Sequence, residues 1–208
     1  MSSHYLAYLL NETRQALADE GTTLIWEDHE LETHILKAVE EVSEVAPNEQ
    51  VDTLTTTASK DLDISSLTNR VTNWGIGGFH PQYGVEFEVS QEPAVYRNFH
   101  VRGDVLSMRL SSTPAADKSV NVRWAQYHKV TRTSTTLTPY LEKVVIEGAC
   151  AYALLAWASS PTNINMVHEG GPNVVPAVAQ AGDKKMAFFL RSLEGLRPVM
   201  TMPEYSED

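Results

Sequence analysis

The chain has 208 residues, room for one large domain or one domain carrying an insertion, and its 42% apolar content is enough for a core. Sixteen Lys and Arg against 27 Asp and Glu give a formal net charge of −11, which argues against wrapping nucleic acid, because phosphate contacts need Lys and Arg. A single cysteine, Cys150, excludes an internal disulfide framework and a cysteine-based zinc site. The longest strongly apolar run, residues 149–158, is well short of the roughly twenty residues of a membrane helix. The opening MSSHYLAYLLNETRQ has no basic stretch, so no secretory signal is expected. These features point to a soluble, intracellular, acidic protein with no membrane partner.

The charge is uneven. Residues 1–50 hold eleven acids and only two bases, Arg14 and Lys37, whereas residues 97–132 hold seven bases against Asp104 and Asp117. Well-solvated acidic helices would explain this, and so would two ends of a fold that face different neighbours in a ring or stack.

The first helix is expected to follow Ser2 or Ser3 as N-cap, with Tyr5, Leu6, Leu9, Leu10, Thr13 and Leu17 at helical spacing and Gly21 as the stop. A second should open near Asp28, whose carboxylate can cap free amides, and end at Pro47. Its apolar face is Leu31, Ile35, Ala38, Val39, Val42 and Val45. Trp26 is placed to fold back on the first turn as a hydrophobic staple. From Val51 to Thr136 the period becomes two. Val85, Phe87 and Val89 alternate with Glu86 and Glu88, Leu106, Met108 and Leu110 with Ser107 and Arg109, and Val120, Val122 and Trp124 with Asn121 and Arg123. Tyr96, Phe99 and Val101 suggest a further strand, and Leu54, Leu62 and Ile64 shorter ones. Residues 73–84 and 111–119 read as loops, and the block as an antiparallel sheet or small sandwich.

Helix returns with Thr138 as N-cap and Pro139 at the first helical position. Residues 141–157 are apolar nearly all round, as in the middle of a bundle, and Gly148 with the alanines permits close helix approach. Residues 161–176 read as an irregular connection, and residues 177–193 as a last helix ended by Gly195 and Pro198. The expected fold is α+β, a four-helix bundle with an antiparallel β domain inserted between helices 2 and 3. Residues 1–48 and 137–195 form the bundle, 49–136 the β domain and 196–208 an extended tail.

The residues carry no recognisable chemistry. His29 and His34 are five apart, on different helical faces, and His80, His100, His128 and His168 stand alone, so no metal is expected. Gly75-Ile76-Gly77-Gly78 lacks the Lys-Ser/Thr of a phosphate loop and reads as a loop tip. Cys150 sits in the most apolar helix, where a thiol is a packing group. Asp61 with Asp63, and Glu86 with Glu88, read as solvated strand faces. No cofactor and no catalytic residue is expected.

Four short pieces in order carry a resemblance: Trp26-Glu27-Asp28-His29-Glu30-Leu31 with its helix to Pro47; Asp61-Leu62-Asp63-Ile64-Ser65-Ser66-Leu67 before Arg70-Val71; Val120-Asn121-Val122-Arg123-Trp124 before Tyr127-His128; and Leu137-Thr138-Pro139-Tyr140-Leu141 before the helix Ile146–Leu154. Over about residues 24–158 the chain resembles the head–tail connector, or adaptor, proteins of tailed bacteriophages and gene-transfer particles. The resemblance implies no reaction. It implies a homo-oligomeric, dodecameric ring in the virion neck, assembled in the host cytoplasm. Such a ring docks on the portal protein, receives the next neck or tail protein and extends a channel through which DNA passes without specific binding.

In that setting the tail residues Pro198, Val199, Met200, Met202, Pro203 and Tyr205 are candidates for portal binding. Glu27, Glu30, Glu40, Glu41 and Glu44 are candidates for the channel lining, where like charge would keep DNA from sticking. Trp74, Phe79 and Tyr83 are candidates for a loop anchored between subunits. Two other readings remain: a tail-side terminator or gatekeeper ring, and a soluble β-sandwich that binds glycans on an exposed Trp74, Phe79 and Tyr83.

Overall fold

A computed structural model describes residues 5–21, 24–87, 95–160 and 174–197. Among them the chain mixes α and β, with four helices and two small antiparallel sheets. The helices are α1 (Tyr5–Leu17), α2 (Asp28–Val45), α3 (Pro139–Ser159) and α4 (Val175–Leu196). The strands are β1 (Asn48–Thr55), β2 (Asp61–Asp63), β3 (Val85–Phe87), β4 (Phe99–Arg102), β5 (Val105–Met108) and β6 (Ser119–Gln126), in sheets ordered β1-β6-β3 and β2-β5-β4. Contacts gather the chain into two compact units. One takes the residues up to Ala46 with His128–Arg197 and holds the helices; the other takes Pro47–Tyr127 and holds the strands.

In the helical unit α3 touches the other three helices, as its nearly uniform apolar surface requires. Leu9, Ile35, Ala38, Val42, Val145, Ala149 and Phe189 meet in its core. Each large aliphatic or aromatic chain buried this way contributes about 1.5–3 kcal/mol. Gly148 lies against the ring of Phe189, and Gly182 of α4 against Leu154 and Leu155 of α3, so each helix has a notch for the other's side chain. Trp26 and Leu31 share a small core with Ala153, the staple at the head of α2. Thr138 caps α3, its Oγ1 accepting from the Leu141 N–H.

Three boundaries differ from the sequence reading. The N-cap of α2 is Glu27; Asp28 is the first helical residue, and its carboxylate accepts from Arg14 at 2.6 Å. α4 begins two residues earlier than expected, with Pro176 in the first turn, where a missing N–H leaves no bond unmade. It also runs through Gly195. Residues 128–136, expected in the β block, group with the helices: Tyr5 and Leu6 donate to the Arg132 and Thr131 carbonyls, and the His128 N–H donates to Ser43 Oγ. The N-caps proposed at Ser2 or Ser3, the tip of the strand at Glu88 and Val89, and the connection over residues 161–173 lie outside the described residues.

The β unit has one core fed by both sheets: Leu62, Phe99, Leu106 and Met108 from one, and Val85, Val120, Val122 and Trp124 from the other. The alternation along β6 and β5 has the expected inward sets. β1 is longer than its apolar pattern suggests. It pairs residue by residue with β6 from Asn48↔Gln126 to Thr55↔Ser119, yet only Leu54, Asn48 and Gln50 are even half-buried, so hydrophobic alternation could not mark it.

Candidate functional site

The outer face of α2 is strongly acidic. Leu31, Ile35, Ala38, Val39 and Val42 turn inward, which leaves the carboxylates opposite them in water. Glu27, Glu30, Glu40 and Glu44 are exposed. Glu30 Oε2 accepts the Glu27 N–H at 3.0 Å and closes the first turn. Glu40 and Glu44 have no hydrogen bond or ion pair among the described residues.

Glu41 departs from that group. It is half-buried and accepts a very short hydrogen bond from the Tyr152 hydroxyl of α3. The Lys37 ammonium stands 4.0 Å from the Tyr152 ring centre, and the His34 ring stacks on Tyr152 at 6.4 Å. Burial, followed by the Glu41 carboxylate, pushes the Tyr152 hydroxyl well above the usual phenol range. Glu41 is therefore tied to α3, unlike the other carboxylates of the acidic set read from sequence. The signal was present in the spacing: residues 34, 37 and 41 lie along one helical stripe.

At the head of α2, Arg14 organises the link from α1. Its guanidinium bonds Asp19 Oδ2 at 2.5 Å, the Trp26 carbonyl at 2.9 Å and Asp28 Oδ1 at 2.6 Å. Asp19 Oδ1 accepts from the Ile25 N–H at 2.8 Å. Beside this link is an open cavity of about 420 Å³ whose lining includes Trp26, His29, Glu30, His34 and Trp157. Trp26 Nε1 is already engaged with the Ala153 carbonyl. Burial lowers the His34 pKa, and Lys37 lowers it further against the opposing pull of Glu30.

The aromatic turn of the β unit is arranged differently from its sequence reading. Gly75, Gly77 and Gly78 have φ of +56°, +61° and +91°, and the turn they form is closed by the pair Ile76 N–H to Phe79 O and Phe79 N–H to Ile76 O. Gly78 O accepts from the Ala125 N–H, and the His80 N–H donates to Arg123 O, so the turn is strapped to β6 and is no free loop tip. Phe79 is fully buried, edge-on to Phe99 at 6.0 Å. Trp74 is only 5% exposed, edge-on to His80, and its Nε1 has no partner among the described residues. Tyr83 alone is exposed, against His80 and Tyr96. Trp74, Phe79 and Tyr83 thus present no common outer surface, because two of the three are needed inside their own unit.

The remaining candidates are accounted for by local bonding. His80 Nδ1 accepts from the Gln82 and Tyr83 amides, and His128 bonds the Ala46 carbonyl and Thr136. His29 and His100 are exposed, and His168 lies outside the described residues. Cys150 is fully buried, and burial pushes its thiol up to about 11. Asp61 and Asp63 flank buried Leu62 as a solvated face. Among the described residues no three metal-ligating side chains come together, and no helix is long and apolar enough to cross a membrane. The tail candidates Pro198, Val199, Met200, Met202, Pro203 and Tyr205 lie outside the described residues. No protein-family model matches the chain, and no curated protein matches it.

Proposed function

We propose that this protein is a structural adaptor of a virion neck, whose copies form a ring that joins the portal to the tail and continues the DNA channel. In this reading the helical unit is the four-helix bundle of the resemblance, and the β unit is the domain inserted between α2 and α3. The observation that carries it is the outer face of α2, where Glu40 and Glu44 are exposed and serve no internal bond. Free carboxylates that a fold does not use for its own cohesion suit a wall that must repel a polyanion. Repeated around a ring, they would keep phosphates at a distance while water and counterions fill the gap. The tail residues 198–208 would dock on the portal.

Location on the particle tests the proposal. Gold-labelled antibody to the chain should mark the neck of intact particles, and a chain lacking residues 198–208 should no longer attach to purified portal. Label elsewhere on the particle, or normal attachment of the shortened chain, overturns the corresponding assignment. With the chain at the neck, Glu40→Lys together with Glu44→Lys should leave attachment intact and slow DNA release.

A further inference from the structure

β1 is an open edge. It pairs on one side with β6 over all eight residues, and no described residue pairs with its other side. A strand edge exposes unpaired N–H and C=O groups, and folded proteins usually block it by shortness, proline, a bulge or inward charge. β1 is long, has no proline and keeps an unbroken register. Val51 on it is 55% exposed, and its charges, Glu49 and Asp52, are both acidic and exposed, Asp52 also accepting from Trp124 Nε1 at 2.6 Å.

The other sheet ends in an edge of opposite sign. In the order β2-β5-β4, β4 is outermost and carries exposed His100 and Arg102; exposed Arg97 lies just ahead, where the backbone already pairs with β3 through the Arg97 N–H and the Val85 carbonyl, so the open part of this edge is Phe99–Arg102. Neither arginine has an ion pair among the described residues, in contrast to Arg70, which pairs with Asp104. Like edges repel: β1 on β1 sets Glu49 and Asp52 against their own kind, and β4 on β4 does the same with arginines. The unlike edges suit each other. Because both sit on every copy, pairing them is a head-to-tail contact that repeats from copy to copy and can close a ring.

We infer that the β1 edge of one copy takes up β4 of the next, a strand added between sheets and selected by charge. The closing of this chain of contacts into a ring rests on the adaptor reading above; the contact itself does not. The backbone of β4 supplies the bonds, and Arg97 and Arg102 of the next copy supply the preference for Glu49 and Asp52.

Site-directed cross-linking tests it. Val51→Cys and His100→Cys are placed in separate full-length chains, mixed at high concentration and treated with a short bis-maleimide. Buried Cys150 stays silent. The mixture should give cross-linked dimers, either chain alone should give far fewer, and a chain with both cysteines should give a ladder. In the two-cysteine chain, Glu49→Lys with Asp52→Asn, whose amide oxygen still accepts from Trp124, should cut the ladder by about tenfold or more, as should Arg97→Glu with Arg102→Glu. Mixing those two charge variants should restore it, since each then meets an opposite edge. Absence of the ladder, equal cross-linking by Val51→Cys alone, or indifference to the charge swaps overturns the contact. A neck-labelled ring without this cross-link removes the contact and leaves the adaptor reading standing; a cross-linked ladder from a chain found elsewhere on the particle does the reverse.

Discussion

Gly148 in the helical unit and Gly75 in the β unit both lack room for a Cβ, yet for unlike reasons. A Cβ on Gly148 would come within 2.7 Å of the Phe189 ring, while the backbone there is ordinary helix. A Cβ on Gly75 would meet the Phe79 carbonyl oxygen at 2.1 Å, and the backbone has φ +56°. In the first unit glycine supplies space between helices; in the second it supplies a conformation that turns the chain and drives Phe79 inward. At these two positions the limit is side-chain volume in the helical unit and backbone geometry in the β unit.

The largest test of that contrast removes the ring each glycine serves. Phe189→Ala and Phe79→Ala each delete a fully buried aromatic and should cost about 3–5 kcal/mol. The losses should be local. Phe189→Ala should speed labelling of the Cys150 thiol, and Phe79→Ala should speed amide exchange along β6. If Phe189→Ala loosens β6 as much as it loosens α3, the division into two differently built units fails.

Charge separates the units next. Arg14 and Asp19 form a buried pair, with side chains 11% and 2% exposed, so Arg14→Met strands a carboxylate away from water and should cost about 3 kcal/mol. Arg70 in the β unit is as buried, but its partner Asp104 is 68% exposed and stays hydrated alone. Arg70→Met should therefore stay within about 1 kcal/mol of the parent. Urea unfolding measures both, and comparable losses would show that burial of the arginine matters more than burial of its partner.

The glycines themselves come third. Gly75→Ala adds backbone strain to a clash with a carbonyl that cannot swing aside, and should cost about 2–3 kcal/mol. Gly148→Ala overpacks the ring by about 1–3 kcal/mol but gains up to about 1 kcal/mol of helix propensity, for a net loss near 1 kcal/mol. Thermal midpoints should rank Gly75→Ala below Gly148→Ala, and the reverse order would mean that the helical interface is the stiffer of the two.

The same contrast explains what could be read in advance. α1, α2 and α3 were legible because a packed helix repeats its apolar residues at a fixed period, and Trp26 and Thr138 stand where staples and caps are needed. β1 was legible only around Leu54, since Asn48 and Gln50 on the same half-buried face are polar and show no apolar period. The burial of Phe79 and Trp74 was hidden because glycine content announces a turn and says nothing of which way it folds. Glu41 looks like one more surface acid in the sequence, because its partner Tyr152 is 111 positions away. Pairings across the chain leave no local pattern. The exposure of Glu30, Glu40 and Glu44 follows from the period of α2 alone, and Glu27 stands at its N-cap.

The smallest expected effect is one of pH, and it too divides the units. In the helical unit the His128 ring stands 2.9 Å from the Ala46 carbonyl and 3.0 Å from Thr136 Oγ1. A carbonyl only accepts, so Nε2–H donates to Ala46, and Nδ1 accepts from the Thr136 hydroxyl. Burial holds the His128 pKa below its ordinary value of 6.5, against a weaker opposing pull from the backbone of Ala46 and Thr136, and His34 shifts the same way. The fold thus favours neutral imidazole. Its contribution is complete above about pH 6.5 and is lost as pH falls through the lowered folded value. Asp63 in the β unit is also lowered, chiefly by the Ser65 amide, but from an ordinary 3.8, so its contribution goes only in stronger acid. Between about pH 7.5 and about pH 5.5 the urea midpoint should fall in the parent and fall less in His128→Gln, whose amide can still donate to Ala46. Over the same interval the protection of Cys150, its labelling rate relative to the urea-unfolded chain at the same pH, should fall while β6 amides stay protected. Equal falls in parent and variant would place the acid response elsewhere than His128, and faster exchange along β6 would show that the β unit shares it.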